Sequence, residues 1–472
     1  MAFYKCDKKQ NSGTGFKVDD VSNFTAVADS SDAKVTLSWT DPDDFEIEGT
    51  VQAKWAGTVI VRKAYSEPKS TGDGTIVLNS TVKNQYSVNG FEDENVYLST
   101  TYYYRAFPYT TDGVTTVGTS VSVETAATPI YGAEWDGTAS SAWTRTDGAA
   151  EFEDPNPYYA GMTSTSSSPF DSIMPWSGIV IEERTGGTMV KIPKFWYKIT
   201  QNGAGMKVQI ADGPLDGFSV SPAHMDRGDG KGERDAVYVG RYHCGSSNYK
   251  SVTGQKPKNQ TTRANFRTSI HNLGTNIWQL DFATRFTIWL LYIVEFANWN
   301  SQAKIGYGCG NNSGVQTMGY TDSMPYHTGT TQSSRTTYGL GTQYRYIEGL
   351  WDNVYDWVDG GYYDSNGLNI ILKPSSFSDS SGGTAVGTPS NGYPSAFTVK
   401  DVPNTCKIFI PTAASGSDST YSCDYWSFYA SYPCLYAGGY YYQYLSHGLF
   451  YVSFGDASIA NASLGSRLME LP

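Results

Sequence analysis

Tyrosine and serine are concentrated near the C-terminal end of the sequence, where they could form a binding surface. From Tyr421 to Tyr451 there are 10 tyrosines among 31 residues, and from Tyr421 to Leu464 there is no lysine, arginine or glutamate. Tyrosine offers a large contact area and a hydroxyl group at small entropic cost, and serine and glycine adapt around it. Isoleucine, valine and leucine, which usually dominate a β core, are scarce here. The segment is therefore predicted to be a binding surface.

Two triplets of alternate residues predict that parts of this segment are extended. They are Tyr440, Tyr442 and Tyr444, and Ser427, Tyr429 and Ser431. Alternate side chains of a β-strand point to the same face. We therefore expect each triplet to form a stripe of side chains along one strand.

Sequence signatures of catalysis are missing. There is no HExxH, GxSxG or P-loop motif, and no two of the five histidines are four residues apart, which excludes a helical metal pair. Residues 226–235 and 351–354 have some calcium-loop character, but their order is different, which favours turns over metal sites. A glycosidase pair of carboxylates remains open, because such a pair meets only in the fold. We expect no catalytic residue, no metal ligand and no cofactor.

The six cysteines give little guidance. No CxxC pair occurs, which disfavours a zinc ribbon. Cys423 and Cys434 are close enough in sequence to permit a disulfide, but the spacing does not require one.

Composition and charge narrow the class of protein. The 472 residues predict two to three domains, and 39% hydrophobic with 17% charged residues excludes a solvated disordered chain. With 34 basic and 46 acidic residues the net charge is −12, so we expect no nucleic-acid partner. The N-terminal residues lack the apolar stretch of a secretion signal, and the longest apolar run, residues 286–297, is too short to span a bilayer. We expect no membrane insertion.

Residues 18–128 carry the pattern of an all-β sandwich, preceded by a short lead-in at residues 1–17. Strands are predicted at residues 33–39, 57–63, 74–78, 101–109 and 115–123, with turn residues between them. In the first of these, Val35, Leu37 and Trp39 are expected to share the buried face. The runs LSWT at 37–40 and TYYYRAF at 101–107 resemble a fibronectin type III domain, with Tyr102 as its corner tyrosine. The resemblance implies a spacer.

Residues 129–472 are predicted to form an α+β domain. A strand with a proline bend at 189–199 pairs with residues 205–210, and helices are expected at 261–273 and 281–298. The aromatic residues Trp135 and Trp143 indicate that the Ser/Thr/Gly-rich stretch 139–170 is ordered coil rather than a linker. After residue 300 the chain is rich in loops, with short strands at 406–410 and 448–454.

Several segments of this second domain resemble a single family. The run IEGLWDNVYDWVDG at residues 347–360 resembles the Gly-Asn-Val-Trp-Glu-Trp motif of formylglycine-generating-enzyme-type C-type lectin folds. Residues 300–308, 437–439, 448–450 and 464–468 are similar to further segments of that fold. Together they resemble the variable proteins of diversity-generating retroelements in their phage tail-fibre or receptor-binding form. The cysteine pair of the enzyme branch has no recognisable counterpart, so the resemblance implies a scaffold for binding and not an enzyme.

In that family, adenine mutagenesis of a template repeat exchanges chosen residues and leaves the rest fixed. The resemblance implies a variable region at about residues 424–465. The implied ligand-binding positions are Ser427, Tyr429, Ser431, Tyr436, Tyr440, Tyr442, Tyr444, Ser446, Tyr451, Ser453, Gly455, Ile459, Asn461 and Ser463. The implied fixed residues are Trp426, Gly438, Gly439, Gln443, Gly448, Leu449, Phe450, Ala457, Ala460, Ala462, Gly465 and Arg467.

The expected function is that of a phage tail-fibre or receptor-binding protein, located in the virion. Its partners would be a bacterial surface protein or glycan, other tail proteins through the N-terminal part, and copies of itself, with a trimer expected from tail-tip architecture. The first alternative is a bacterial surface adhesin or lectin with a fixed glycan ligand. The second is an enzyme, which would need a metal or a carboxylate pair in a cleft.

Overall fold

Strands dominate the structure, a computed structural model that describes residues 15–308, 313–339, 341–402, 406–429, 431–442 and 445–472. Strands account for 38% of the chain and helices for 9%, so the protein is mostly β. The chain divides into two compact units. The first extends to Thr128 and includes Gly213–Asp216, and the second comprises Pro129–Asp212 and Gly217–Pro472. Among the described residues, no helix combines the length and apolar character needed to span a membrane.

The first unit consists of antiparallel strands. They are β1 Ser22–Ala28, β2 Val35–Thr40, β3 Phe45–Ile47, β4 Thr50–Ala53, β5 Trp55–Ala64, β6 Thr75–Ser80, β7 Phe91–Asp93, β8 Thr101–Thr110 and β9 Thr119–Glu124. One sheet has the order β1-β2-β7 and another the order β6-β5-β8-β9, with β3 and β4 forming a separate hairpin. Most of the lead-in, residues 1–14, lies outside the described residues.

The core of the first unit follows the alternation of its sequence. Val35, Leu37 and Trp39 of β2 are at most 1% exposed and pack with residues of β5 and β8. The prediction for this strand is therefore confirmed. The backbone N–H of Tyr97 donates to the Tyr102 hydroxyl at 3.0 Å, which is the hydrogen bond that defines a tyrosine corner.

The described part of the second unit has many short strands and three α-helices. Its first strands are β10 Tyr131–Trp135, β11 Trp143–Asp147, β12 Tyr158–Tyr159, β13 Val180–Arg184, β14 Gly187–Pro193, β15 Trp196–Asn202, β16 Gly205–Ala211, β17 Ser219–Val220, β18 Ala236–Gly240 and β19 Ile277–Gln279. The helices are α1 Arg263–His271, α2 Phe282–Phe296 and α3 Ser301–Lys304. The expected hairpin of β15 and β16 is confirmed. The 139–170 stretch is not all coil, because it contains β11 and β12 and leads into a short 3-10 helix at Pro169–Ser172.

The remaining strands surround the predicted variable region. They are β20 Gly329–Thr330, β21 Thr342–Tyr344, β22 Ile347–Glu348, β23 Tyr355–Asp364, β24 Gly367–Ile370, β25 Thr384–Gly387, β26 Ala396–Val402, β27 Cys406–Ala413, β28 Trp426–Ser427, β29 Cys434–Ala437, β30 Val452–Gly455, β31 Leu464–Ser466 and β32 Leu468–Glu470. Their largest sheet has the order β25-β24-β23-β29-β30-β28, and β31 pairs with β23. This sheet carries the candidate site.

Helix α2 is the central element of the second unit. Asp281 caps its N-terminus by accepting a hydrogen bond from the Thr284 N–H at 2.8 Å, as the sequence predicts. The prediction of a single apolar face is too narrow, because every residue of α2 is buried. Its two charged residues are compensated: Arg285 donates to main-chain carbonyls, and Glu295 forms an ion pair with Arg345.

Candidate functional site

A surface cavity of about 290 Å³ opens at the edge of the large sheet. Nine of the fourteen implied binding positions line this cavity. They are Ser427, Tyr429, Tyr436, Tyr451, Ser453, Gly455, Ile459, Asn461 and Ser463. Residues that are up to 36 positions apart in sequence therefore meet at one place.

Three neighbouring strands form the floor of the cavity. Ser453 of β30 lies opposite Ser427 of β28 on one side and opposite Tyr436 of β29 on the other. Directly opposite residues share a face of the sheet, so these three side chains form a row. Gly455 falls on the same face of β30 by alternation, and Tyr451 immediately precedes the strand. The intervening Val452 and Phe454 belong to the main hydrophobic core, which fixes the register of β30.

An aromatic cluster supports the floor beside the cavity. The Tyr355 ring centroid lies 5.0 Å from the centroids of Tyr436 and Tyr440 and 5.5 Å from that of Tyr451. His447 stacks on Tyr451 with 4.0 Å between ring centroids. Burial raises the pKa of the Tyr451 hydroxyl and lowers the pKa of His447 to about 4, so both rings are neutral at pH 7. The cluster therefore packs as an uncharged aromatic core.

The implied positions differ widely in exposure. Tyr429 and Tyr442 are 53% and 51% exposed, whereas Tyr451 and Ser453 are only 6% and 3% exposed. Ser431, Tyr440, Tyr442 and Ser446 are not among the residues that line the cavity, and Tyr444 lies outside the described residues.

The two predicted stripes are wrong where the structure describes them. Tyr440 and Tyr442 follow the end of β29 in a bend, and β28 ends at Ser427, before Tyr429 and Ser431. Tyr440 is half-buried beside Tyr355, while Tyr442 is exposed, so the two do not share a face of a strand. Local alternation misled the prediction because the main-chain N–H and C=O groups of these residues do not pair with a neighbouring strand.

The implied fixed segment 448–450 is anchored by buried polar groups. The Asp424 carboxylate accepts hydrogen bonds from the Gly448 and Phe450 N–H groups at 2.7 and 2.8 Å. Arg285 and Trp289 of α2 both donate to the Leu449 carbonyl at 3.0 Å. Burial raises the pKa of Asp424 to about 7. Asp424 on one side and Arg285 and Trp289 on the other thus fix the main chain of residues 448–450, and none of the three lines the cavity.

Most other implied fixed residues are also buried, and the exceptions are Ala457, Ala460 and the half-buried Ala462. Gly438 has φ +80°, and a Cβ there would lie 2.3 Å from the Leu350 carbonyl oxygen, so only glycine fits. Trp426 is 1% exposed. Ala457 and Ala460 are exposed, so packing does not explain why they would be fixed. Gln443 lies outside the described residues.

The motif at residues 347–360 is a hub of buried polar contacts next to the cavity. Asp352 accepts hydrogen bonds from the Thr342 N–H at 3.1 Å and from the Tyr320 hydroxyl at 2.6 Å. The Asn353 side chain exchanges hydrogen bonds with the main chain of Gln316. The main-chain carbonyl of Asn353 accepts a hydrogen bond from the Tyr441 N–H at 3.0 Å. The motif thus contacts the main chain of the predicted variable region, and its polar side chains are engaged within the fold.

We expect the difference in unfolding free energy between the natural protein and Glu348→Gln to depend on pH. Glu348 is 1% exposed, and burial raises its pKa to about 7 from an ordinary 4.5. A carboxyl with a raised pKa binds its proton more tightly in the folded chain, so its stabilising effect is complete below pH 4.5 and is lost as the pH rises through 7. Glutamine does not titrate. Urea titrations should show the difference shrinking by about 3 kcal/mol between pH 4.5 and about pH 8. A difference that is constant over this range would contradict the assignment.

Gly455 lines the cavity, but packing opposes its exchange. A Cβ at this position would lie 2.9 Å from Trp357 Cη2, and the Trp357 indole is held by a hydrogen bond to the Thr261 carbonyl at 3.1 Å. We expect Gly455→Ala to lower the free energy of unfolding by about 1–3 kcal/mol because Trp357 must shift. Gly361→Ala is the matched control: its Cβ meets no atom closer than 3.6 Å, so chemical denaturation should show a smaller loss. Equal losses in the two variants would refute the clash.

Four residues that sequence reasoning did not select also line the cavity. They are Tyr355, Tyr432, Phe454 and Leu464. Tyr432 belongs to the tyrosine-rich segment but to neither triplet, and its ring centroid lies 5.7 Å from that of Tyr429. Tyr355 lies within the motif at 347–360, but nothing in that motif predicts its contacts, which come from strands far along the chain.

Cys423, Cys434 and the acidic stretch at 226–235 have identifiable surroundings in the described part of the chain. Cys423 and Cys434 are buried free thiols, so the permitted disulfide does not form. Burial raises their pKa values to about 12 and about 11, which makes them poor nucleophiles. No group of three or more histidine, cysteine, aspartate or glutamate side chains in the described ranges could hold a metal ion. In the stretch 226–235, Asp229 forms an ion pair with Arg234 and Asp235 with Lys194.

The cavity is lined by uncharged residues. Its described lining consists of tyrosine and serine with a few apolar residues, glycine and one asparagine, and includes neither a paired carboxylate nor a histidine. Comparison of the chain with known protein families and with curated proteins gives no match.

Proposed function

We propose that the protein is a phage tail-fibre or receptor-binding protein, which displays an exchangeable Tyr/Ser-rich surface on a C-type lectin scaffold for attachment to bacteria. The first unit, with a fibronectin type III fold, would be the spacer. The second unit, with the C-type lectin fold, would hold the ligand site. Its partners would be a bacterial surface protein or glycan, other tail proteins, and further copies of the chain in a trimer.

One observation carries this proposal: the implied variable positions converge on one cavity while most of the implied fixed residues are buried outside it. Nine of the fourteen positions line the cavity. The fixed segment 448–450 is anchored instead by Asp424, Arg285 and Trp289. Such an arrangement allows side chains to change at the site while the main chain keeps its geometry.

The proposed mechanism is rigid display with weak individual contacts. Tyrosine and serine give adaptable contacts at low entropic cost. Several copies in one virion would raise the apparent affinity by avidity, because the second contact is formed within an assembly that is already bound. High affinity at a single cavity is then unnecessary.

Sequencing of this gene and its flanks across the population from which it comes tests the proposal. We expect substitutions to concentrate at the fourteen positions, above all at the exposed Tyr429, Tyr442 and Asn461. A nearby repeat should carry adenines at the corresponding codons. The codons of Trp426 and Arg467 are the internal control and should not vary.

The opposite result has a clear meaning. If the last fifty codons are as invariant as the rest of the gene, the retroelement mechanism fails. The cavity would then belong to an adhesin or lectin with a fixed ligand, located on a bacterial surface.

A further inference from the structure

We infer that the group bound in the cavity of this variant is a neutral sugar ring, of the kind that terminates a bacterial surface glycan. The inference rests on the proposed function, because it names the ligand class of the same site. The charge, the chemistry and the size of the cavity support it.

Charge excludes acidic ligands. None of the described residues that line the cavity carries a formal charge. A carboxylate or phosphate that enters would lose part of its hydration without gaining a cationic partner, which is unfavourable. The net charge of −12 adds a repulsive potential for anions. Uronic acids, sialic acids and phosphorylated sugars are therefore poor ligands for this cavity.

The chemistry of the walls matches a neutral sugar. A pyranose ring has apolar C–H faces and a rim of hydroxyl groups. Tyr429 and Tyr432 are 53% and 38% exposed, and their rings meet at 71°, so they offer aromatic faces in two directions. The electron-rich face of an aromatic ring attracts the weakly positive C–H groups of a sugar.

Polar groups are available beside these aromatic faces. Ser427 and Asn461 line the same cavity and are not buried. The Asn461 Oδ1 accepts the N–H and the hydroxyl of Ser463 at 3.0 and 2.7 Å, which fixes the orientation of the Asn461 amide. A preoriented amide and a serine hydroxyl can hydrogen-bond to sugar hydroxyl groups.

Size favours a sugar ring over a protein surface. The cavity holds about 290 Å³, at the lower end of small-molecule sites, which start at roughly 300 Å³. A stable protein partner usually buries roughly 800 Å² on each side, centred on large apolar anchors. A small cavity with serine and asparagine in its walls suits one or two sugar rings better than such an anchor.

Saturation-transfer NMR on the full chain tests the inference with matched pairs of probes. The neutral probes are the methyl glycosides of glucose, galactose and mannose, and the acidic ones are those of glucuronic, galacturonic and mannuronic acid. We expect at least one neutral glycoside to bind, and its matched acid to bind at least tenfold more weakly. Tyr429→Ala and Tyr432→Ala should each weaken binding about tenfold, whereas Tyr97→Ala, a 42% exposed tyrosine of the first unit, should not change it.

Each outcome decides the question. The inference is overturned if none of the neutral glycosides binds, if the acids bind equally well, or if binding survives both tyrosine substitutions at the cavity. Population sequencing separates this failure from failure of the proposed function. Diversified codons without sugar binding leave display intact and point to a protein ligand. Sugar binding with invariant codons keeps the sugar site and removes diversification.

Discussion

Replacing Arg467 by methionine is expected to lower the free energy of unfolding of the second unit by about 3–5 kcal/mol. The Arg467 side chain is fully buried. Its guanidinium donates to the carbonyls of Gly240, Arg241, Glu348 and Gly349 and lies 3.4 Å from an Asp356 carboxylate oxygen. Methionine has a similar length but no donor, so four carbonyls and a buried carboxylate lose their partner.

Chemical denaturation followed by tryptophan fluorescence measures this loss. Arg184→Met is the matched control, because Arg184 also forms an ion pair, with Glu470 at 2.7 Å, but its side chain is 26% exposed. We expect the control to lose less than about 1 kcal/mol. Suppose that the free energy of unfolding of Arg467→Met stays within about 1 kcal/mol of that of the natural protein. The guanidinium then does not stabilise the contact between the motif at 347–360 and the last strands.

Arg467 also illustrates what a sequence alone can indicate. The resemblance marks it as fixed, but no pattern in the sequence reveals its partners, which lie more than a hundred residues earlier. Local patterns performed better for regular elements. The alternation in β2 and the capped apolar run of α2 are confirmed, because both depend on neighbours within a few residues.

The tyrosine-rich segment shows where local patterns fail. Alternation predicted strands at Tyr440 and Tyr442, but a strand also needs a partner for its main-chain groups, and the chain bends after β29. The convergence of Ser427, Tyr436 and Ser453 depends on the pairing of β28, β29 and β30. Strand pairing across loops of different length is not encoded in any short stretch of sequence.

The structure therefore divides the implied binding positions into two groups that composition cannot distinguish. Residues 429 and 451 are both tyrosines of the same tyrosine-rich segment. Tyr429 is 53% exposed at the mouth of the cavity, and Tyr451 is 6% exposed within the aromatic cluster. The exposed positions can change side chains without disturbing the fold, and the buried positions cannot. The exchangeable surface is therefore smaller than the implied variable region.

Substitution of these two tyrosines by serine is expected to give opposite results. Tyr451→Ser should lower the free energy of unfolding by about 3–4 kcal/mol, because it removes the ring that stacks on His447 at 4.0 Å and packs on Tyr355 at 5.5 Å. Tyr429→Ser should change it by no more than about 0.5 kcal/mol, because the side chain is mostly in solvent. Urea unfolding of both variants, with glycoside binding as a second readout, separates structural from ligand contacts.

The two readouts should separate the two positions. Tyr429→Ser should weaken glycoside binding while the free energy of unfolding is unchanged. Tyr451→Phe, which keeps the ring, should recover most of the stability that Tyr451→Ser loses. If Tyr451→Ser is as stable as the natural protein, the aromatic cluster does not support the floor. Position 451 would then be exchangeable, and the natural variation at residue 451 should be as broad as that at residue 429.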